Sequence, residues 1–197
     1  MQMKSLQNIE KYQVLLASAS PRRKELLGQL GMKFDIATTI QVEECYPQVL
    51  PVSDVASYLS IKKANAYKSI INSNQLIITA DTVVIVDGKI LGKPTSIEDA
   101  KNMLKTLSGH IHEVITGVTI TTAEKQKTFS VSTMVEFASL SQEEIDDYVE
   151  IYKPLDKAGA YGIQEWIGCI GVKNINGSFY NVMGLPLHRL YTELKAF

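Results

Sequence analysis

The run Leu76-Ile77-Ile78-Thr79-Ala80-Asp81-Thr82-Val83-Val84-Ile85-Val86 constrains this chain more than any other segment. It is long and apolar enough to be a central strand. Asp87-Gly88 follows, a hairpin dipeptide, and Ile90-Leu91 pairs back. One residue breaks the pattern. An ionised carboxylate inside such a run costs several kcal/mol unless it is paired, hydrogen-bonded or bound to metal. Asp81 is therefore either a catalytic or metal-binding group or a structural aspartate held by a lysine or backbone amides.

Strand and helix signals alternate around that run. Residues 14–17 read as a strand, 21–30 as a helix stopped by Gly31, and 33–37 as a second strand. Residues 38–52 read as a loop carrying Glu43, Glu44, Pro47 and Pro51. Ser53 caps a predicted helix to residue 72, with Val55, Leu59, Ala66 and Ile70 as its apolar stripe. Ser96 caps a helix to residue 107, with Glu98 and Asp99 in its first turn. Residues 111–121 and 127–137 form a predicted hairpin. Ser141 and Glu144 make a capping box that opens a helix to residue 152. Residues 153–168 read as a glycine-bearing loop, 169–175 and 178–182 as a hairpin around Asn176-Gly177, and 184–195 as the last helix. Strands joined by both helices and hairpins predict an α/β fold with a mixed sheet. No repeat or flexible linker interrupts the chain, so residues 1–197 are read as one continuous domain.

Charge limits the partners. Twenty Lys and Arg stand against 21 Asp and Glu, for a net charge of −1. That balance supplies no global basic field for a nucleic-acid backbone, so any phosphate site must be local. Cys45 and Cys169, the only cysteines, form neither a disulfide framework nor a zinc signature and are read as reduced thiols. His110 and His112 make no metal spacing with them, and no Ser/His/Asp trio supports acyl transfer. The N-terminus carries no apolar core of signal-peptide length, and no stretch approaches the roughly 18 apolar residues of a membrane span. The expected compartment is the cytoplasm.

A local phosphate site has a candidate. Ser20 suits an N-cap and Pro21 the first helical position, which places Arg22, Arg23 and Lys24 in the first turn. Each cation is unfavourable there by about 0.3–1 kcal/mol. Three cations, free backbone N–H groups and the hydroxyls of Ser18 and Ser20 suit a bound anion; the alternative is a solvated helix start whose arginines point away. Lys63 falls on the apolar face of its helix, where a lysine either snorkels to the edge or meets an anion. Lys62 lies off that face and is read as solvated. Glu43 and Glu44 are either solvated loop carboxylates or donors to a hard cation shared with Asp81. Gly92-Lys93-Pro94 fixes a lysine in a rigid turn, as a phosphate contact or as plain surface. Tyr12, Phe34 and Trp166 are read as packing residues. The absence of Walker A and G-x-G-x-x-G patterns disfavours the usual kinase and dinucleotide folds.

Several segments together resemble one family. They are Ser18-Ala19-Ser20-Pro21-Arg22-Arg23 with Glu25-Leu26-Leu27, Ala80-Asp81-Thr82, Gly92-Lys93-Pro94, Leu107-Ser108-Gly109 with His112, and Thr116-Gly117. Two more follow, Asp156-Lys157-Ala158-Gly159-Ala160-Tyr161-Gly162-Ile163-Gln164 and Gly177-Ser178-Phe179-Tyr180-Asn181-Val182-Met183-Gly184-Leu185-Pro186. In this order they resemble the Maf family of nucleotide pyrophosphatases. The resemblance implies a Maf/inosine-triphosphate-pyrophosphatase-like fold, a long mixed sheet with flanking helices and two lobes around a central cleft. It implies cleavage of a nucleoside triphosphate to monophosphate and pyrophosphate with Mg²⁺ or Mn²⁺, in a homodimer. Asp81 falls on the family's general base. Arg22, Thr82 and Gln164 match positions tied to substrate choice, with Ser18 and Ser20 in the same binding segment. Arg23, Lys63 and Lys93 match phosphate contacts. Glu44 matches an acidic residue of the site and, with Asp81, is expected to hold the metal. The intact Asp156-to-Gln164 segment is similar to the branch acting on dTTP and UTP. One departure stands out: Glu165-Trp166-Ile167 follows the glutamine where relatives often have Gly-x-Gly, and a bulky charged lip there bears on base preference. The alternative reading is a non-catalytic nucleotide sensor regulating septum formation.

Overall fold

The computed structural model describes residues 4–197. Strands β1 (Gln13–Leu16), β2 (Asp35–Ile36), β3 (Gln75–Val86), β4 (Lys89–Leu91), β5 (Ile111–Thr121), β6 (Gln126–Phe137) and β7 (Val172–Asn176) form one sheet. Their order is β2-β1-β3-β5-β6-β7, with β4 paired to β3. β1 runs parallel to both β2 and β3, whereas β4 on β3 and β7 on β6 are antiparallel. The helices are α1 (Pro21–Gln29), α2 (Val55–Lys68), α3 (Ile97–Leu107), α4 (Gln142–Tyr152), α5 (Trp166–Gly171), α6 (Phe179–Met183) and α7 (Leu187–Ala196). The mixed α/β sheet with flanking helices expected from the sequence is present. Among the described residues no helix is long and apolar enough to cross a membrane.

Two compact units share the chain. One comprises Met1–Asp81, Thr116–Val131 and Gly184–Phe197; the other comprises Thr82–Ile115 and Ser132–Met183. β3, β5 and β6 each contribute to both. The first unit buries Leu16, Leu76 and Ile78 from β1 and β3, Leu26 and Leu27 from α1, Leu59 and Ala64 from α2, and Leu190 and Leu194 from α7. Parallel strands covered on both faces require such near-continuous apolar runs. The second unit buries Leu104 and Leu107 from α3, Ile145, Tyr148 and Val149 from α4, and Phe137 from β6.

The predicted helix over 53–72 differs from the observed one. A 3-10 turn, Val52–Asp54, precedes α2, and Ser53 Oγ donates to Asp54 Oδ1 at 3.4 Å instead of capping the helix. α2 buries Val55, Ala56, Leu59, Ser60, Ala64 and Tyr67, so its stripe runs through Ala64 and Tyr67 and not through Ala66 and Ile70. Ile70 lies beyond the helix and is 58 % exposed. Tyr67 decides the phase. Its hydroxyl donates to the Ala37 carbonyl at 2.8 Å, while the amides of Ile70 and Ile71 turn back onto its own carbonyl.

The stretch after residue 165 departs most. Residues 166–171 are helical, and 172–176 pair with β6, with Val135 opposite Ile175. Residues 178–182 are no strand. Ser178 N–H donates to Thr133 Oγ1 at 3.1 Å, and Ser178 Oγ accepts from the Asn181 amide at 3.3 Å, which starts α6. The open edge of β6 satisfies the backbone of 172–176 better than a two-residue return would. The last helix begins at Leu187 instead of residue 184, because Pro186 pushes its predecessor out of helical geometry. Trp166 is 37 % exposed, a partly buried position and not a core one.

Candidate active site

The register of the parallel strands places the candidate residues of the first unit. Leu16 stands opposite Ile78, and the Ala17 amide donates to the Ile78 carbonyl at 2.9 Å. The chain therefore leaves β1 alongside the stretch of β3 that leads to Asp81. Ligands in α/β sheets bind outside the carboxyl ends of parallel strands, where turns run into helix N-termini. The turn here is Ala17–Ser20. Ser18 Oγ accepts from the Ser20 amide at 3.2 Å, and Ser20 Oγ accepts from the Arg23 amide at 3.4 Å. Ser20 is the N-cap and Pro21 opens α1, as expected.

The arginines do not both point away. Arg23 Nε donates to the Gly184 carbonyl at 2.8 Å, drawing its guanidinium inward. Burial lowers its pKa, the positive charge of Arg22 lowers it further, and the carboxylates of Asp81 and Glu44 act to raise it. Arg22, Asp81 and Glu44 thus all lie within electrostatic reach of Arg23.

Lys63 joins the acidic pair. Its ammonium donates to Asp81 Oδ2 and, at 2.7 Å, to Glu44 Oε1. Asp81 is buried, as its apolar run requires, and Lys63 is the lysine partner that such a carboxylate needs. Of the two loop carboxylates it is Glu44 that faces Lys63. Lys62, read as solvated, lies at the surface, where it donates to the Cys45 carbonyl at 3.1 Å and to Cys45 Sγ at 2.9 Å. Both cysteines are free and exposed.

Buried hydroxyls that sequence reasoning missed seat α2 on the sheet. Ser60 Oγ lies 2.9 Å from Thr119 Oγ1, and Thr79 Oγ1 donates to the Ser60 carbonyl at 2.8 Å. At Gly117 an added Cβ would lie 2.4 Å from the backbone carbon of Ala56, so helix and strand approach as closely as only glycine permits. Lys63 stands one helical turn beyond Ser60, and Asp81 two residues beyond Thr79 on the same strand face. Only Gly117 carried a sequence signal, through its place in the Thr116-Gly117 motif.

Glu44 and Asp81 are hard oxygen donors that already share one cationic partner. Among the described residues no cluster of three or more His, Cys, Asp or Glu side chains is poised to hold a metal. The donor set fits a Mg²⁺-like ion completed by ligand phosphates, not a cage built from protein alone.

In the second unit, the segment from Asp156 to Gln164 is anchored on the Gly92-Lys93-Pro94 turn. The Gly159 amide donates to the Gly92 carbonyl at 3.0 Å. Gly159 has φ +68° and packs where a Cβ would lie 3.0 Å from Val84. His112 Nε2 lies 2.7 Å from the Tyr161 hydroxyl, edge-on to Phe137. Burial holds the His112 pKa down to about 4. Thr82 is half-buried, and Lys93 and Gln164 are exposed. Glu165 is no solvated lip: its carboxylate turns inward to Tyr148 and Lys157.

The fold is shared with a solved class of α/β proteins. The structure of the Staphylococcus aureus Ham1 protein superposes with a TM-score of 0.54 at 15 % identity, covering 93 % of this chain and 98 % of that one. The chain belongs to the Maf-like protein family, whose profile matches residues 13–197. A Phocaeicola vulgatus protein named dTTP/UTP pyrophosphatase is 56 % identical over 190 residues, spanning 96 % of this chain and 98 % of the relative. A Porphyromonas gingivalis protein of the same name is 54 % identical over 194 residues, spanning 98 % of each.

Proposed function

We infer that this chain is a nucleoside triphosphate pyrophosphatase that cleaves dTTP and UTP between the α- and β-phosphates. The observation that carries the reading is a buried carboxylate, Asp81, paired with Lys63 of α2 and within electrostatic reach of Arg23 of α1. Relatives that match nearly the whole chain carry the name of that activity.

Asp81 takes a proton from the attacking water, a role worth about 10²–10⁴-fold in rate. Lys63, Arg22 and Arg23 offset the charge of the phosphates as pyrophosphate leaves. Arg23 is pre-set for this by its bond to the Gly184 carbonyl, which limits the rotamer freedom lost on binding. Glu44 and Asp81 are the residues that would hold Mg²⁺ or Mn²⁺, which supplies further neutralisation of phosphate charge when bound. Ser18 and Ser20 shape the turn that receives the anion. Thr82, Lys93 and Gln164 keep the roles the family resemblance implies: substrate choice for Thr82 and Gln164, phosphate contact for Lys93. A net charge of −1 favours free nucleotides over polymers. The family resemblance adds a homodimer and a cytoplasmic location to this proposal.

The test is a panel of canonical and modified triphosphates with purified protein and Mg²⁺ or Mn²⁺. The expected products are pyrophosphate and monophosphate, fastest from dTTP and UTP. Orthophosphate with diphosphate, a marked preference for 7-methyl-GTP, or no release from any triphosphate overturns the reading.

A further inference from the structure

Gln164 is exposed, yet the backbone on both sides of it is tied to a buried polar network. Lys157 is only 8 % exposed. Its ammonium lies 2.8 Å from Asp156 Oδ1 and 3.2 Å from Glu165 Oε1. The other oxygen of that carboxylate accepts from the Tyr148 hydroxyl, and the same hydroxyl accepts from the Gly162 amide at 3.0 Å. The network thus grips the chain at Gly162, two residues before Gln164, and at Glu165, directly after it. There is no slack: a Cβ at Gly162 would lie 2.7 Å from Glu165 Cδ and 3.0 Å from Gln164 Nε2. Tyr148 is itself held, fully buried and stacked on Tyr152 with ring centroids 4.9 Å apart.

Such a network is poorly explained as a source of stability. Desolvating a lysine and a carboxylate offsets most of what their attraction returns, and apolar residues of equal volume serve as well or better. What a largely buried network of mutually bonded groups does provide is one preferred geometry. The hydroxyl of Tyr148 spends its single proton on Glu165 and a lone pair on Gly162, so the backbone beside Gln164 has one satisfied position.

We propose that Lys157, Glu165 and Tyr148 are positioning residues that set base selectivity by fixing the backbone that carries Gln164. This rests on the pyrophosphatase reading and deepens it. A base edge is read by a donor and acceptor at a set angle, and a rigid mount removes the backbone share of the cost of ordering that glutamine. Glu165 acts through its bonds to Tyr148 and Lys157.

The experiment is a double-mutant cycle between Tyr148→Phe and Gln164→Ala. It reads kcat and KM for dTTP, UTP and a purine triphosphate. Tyr148→Phe alone is expected to raise KM for the preferred pyrimidine triphosphate about tenfold, the scale of one lost hydrogen bond, with the smaller change in kcat. The pyrimidine-over-purine ratio falls by a similar factor. In the Gln164→Ala background the same substitution is expected to change neither, because a mount without its amide has nothing left to aim. Glu165→Gln, which keeps an acceptor for Tyr148, should retain more selectivity than Glu165→Ala. An additive cycle, or an equal loss for every nucleotide, overturns the proposal. If Tyr148→Phe does not fold, Glu165→Gln enters the cycle with the same two outcomes. Wild-type protein that releases no pyrophosphate defeats the pyrophosphatase reading; an active, selective wild type with an additive cycle defeats only this one.

Discussion

Asp81 and Lys63 each broke a local pattern, and each proved to be the other's partner. A carboxylate in an apolar strand and an ammonium at the edge of a helix stripe are both costly alone, and pairing removes most of that cost. In Asp81→Asn the fold and nucleotide binding are expected to persist, while pyrophosphate release drops by about 10²–10⁴-fold. Steady-state kinetics beside nucleotide titration check this, and full activity in the variant removes Asp81 as the base. His112 makes a prediction of a different kind. Its pKa is pushed down from 6.5 to about 4 by burial, so the folded state resists a proton that the unfolded chain accepts. The contribution of its neutral form is whole above pH 6.5 and is lost as pH falls toward 4. The full difference corresponds to about 3 kcal/mol. Denaturant midpoints measured from pH 7 to pH 4.5 should fall less steeply in His112→Gln than in the parent, and equal slopes would acquit His112.

Elements announced themselves where their ends carry local chemistry. Ser20, Ser96 and the Ser141–Glu144 box all cap as read, since a cap involves residues only three positions apart. The Asp87-Gly88 turn has both residues at positive φ, as its dipeptide demands. The phase of α2 was less legible. Its buried face is chosen by Tyr67 reaching Ala37 and by hydroxyls meeting Thr79 and Thr119, none of them near in sequence. Gly117 is the tightest point of that seat. In Gly117→Ala the new methyl meets backbone on α2, which cannot rotate aside, so overpacking should cost about 1–3 kcal/mol or more. Because Lys63 is lifted with the helix, activity should fall beyond what reduced folded population explains. Urea unfolding paired with kinetics on the folded fraction decides the matter, and parental stability in the variant contradicts the seating.

At the scale of the molecule, stability and catalysis should separate on chelation. The proposed metal ligands, Glu44 and Asp81, are two carboxylates already paired with Lys63, so the fold is expected to depend little on an ion. Excess EDTA is expected to abolish pyrophosphate release and leave the thermal midpoint nearly unmoved; a large drop in the midpoint would reveal a structural metal. The chain's pattern alone announced the alternation of strands and helices, the long strand through Asp81, the caps and the arginine-rich helix start. All of these depend on periodicity or on neighbours within a few positions. The tertiary structure decided the rest. Strand register set the β1 turn beside β3, β6 and not the following segment became the partner of residues 172–176, and Glu165 folded back onto Lys157 and Tyr148 instead of facing outward. Each of those choices satisfies a buried polar group through a residue far along the chain, and the energy of such a bond depends on where the backbone finally lies.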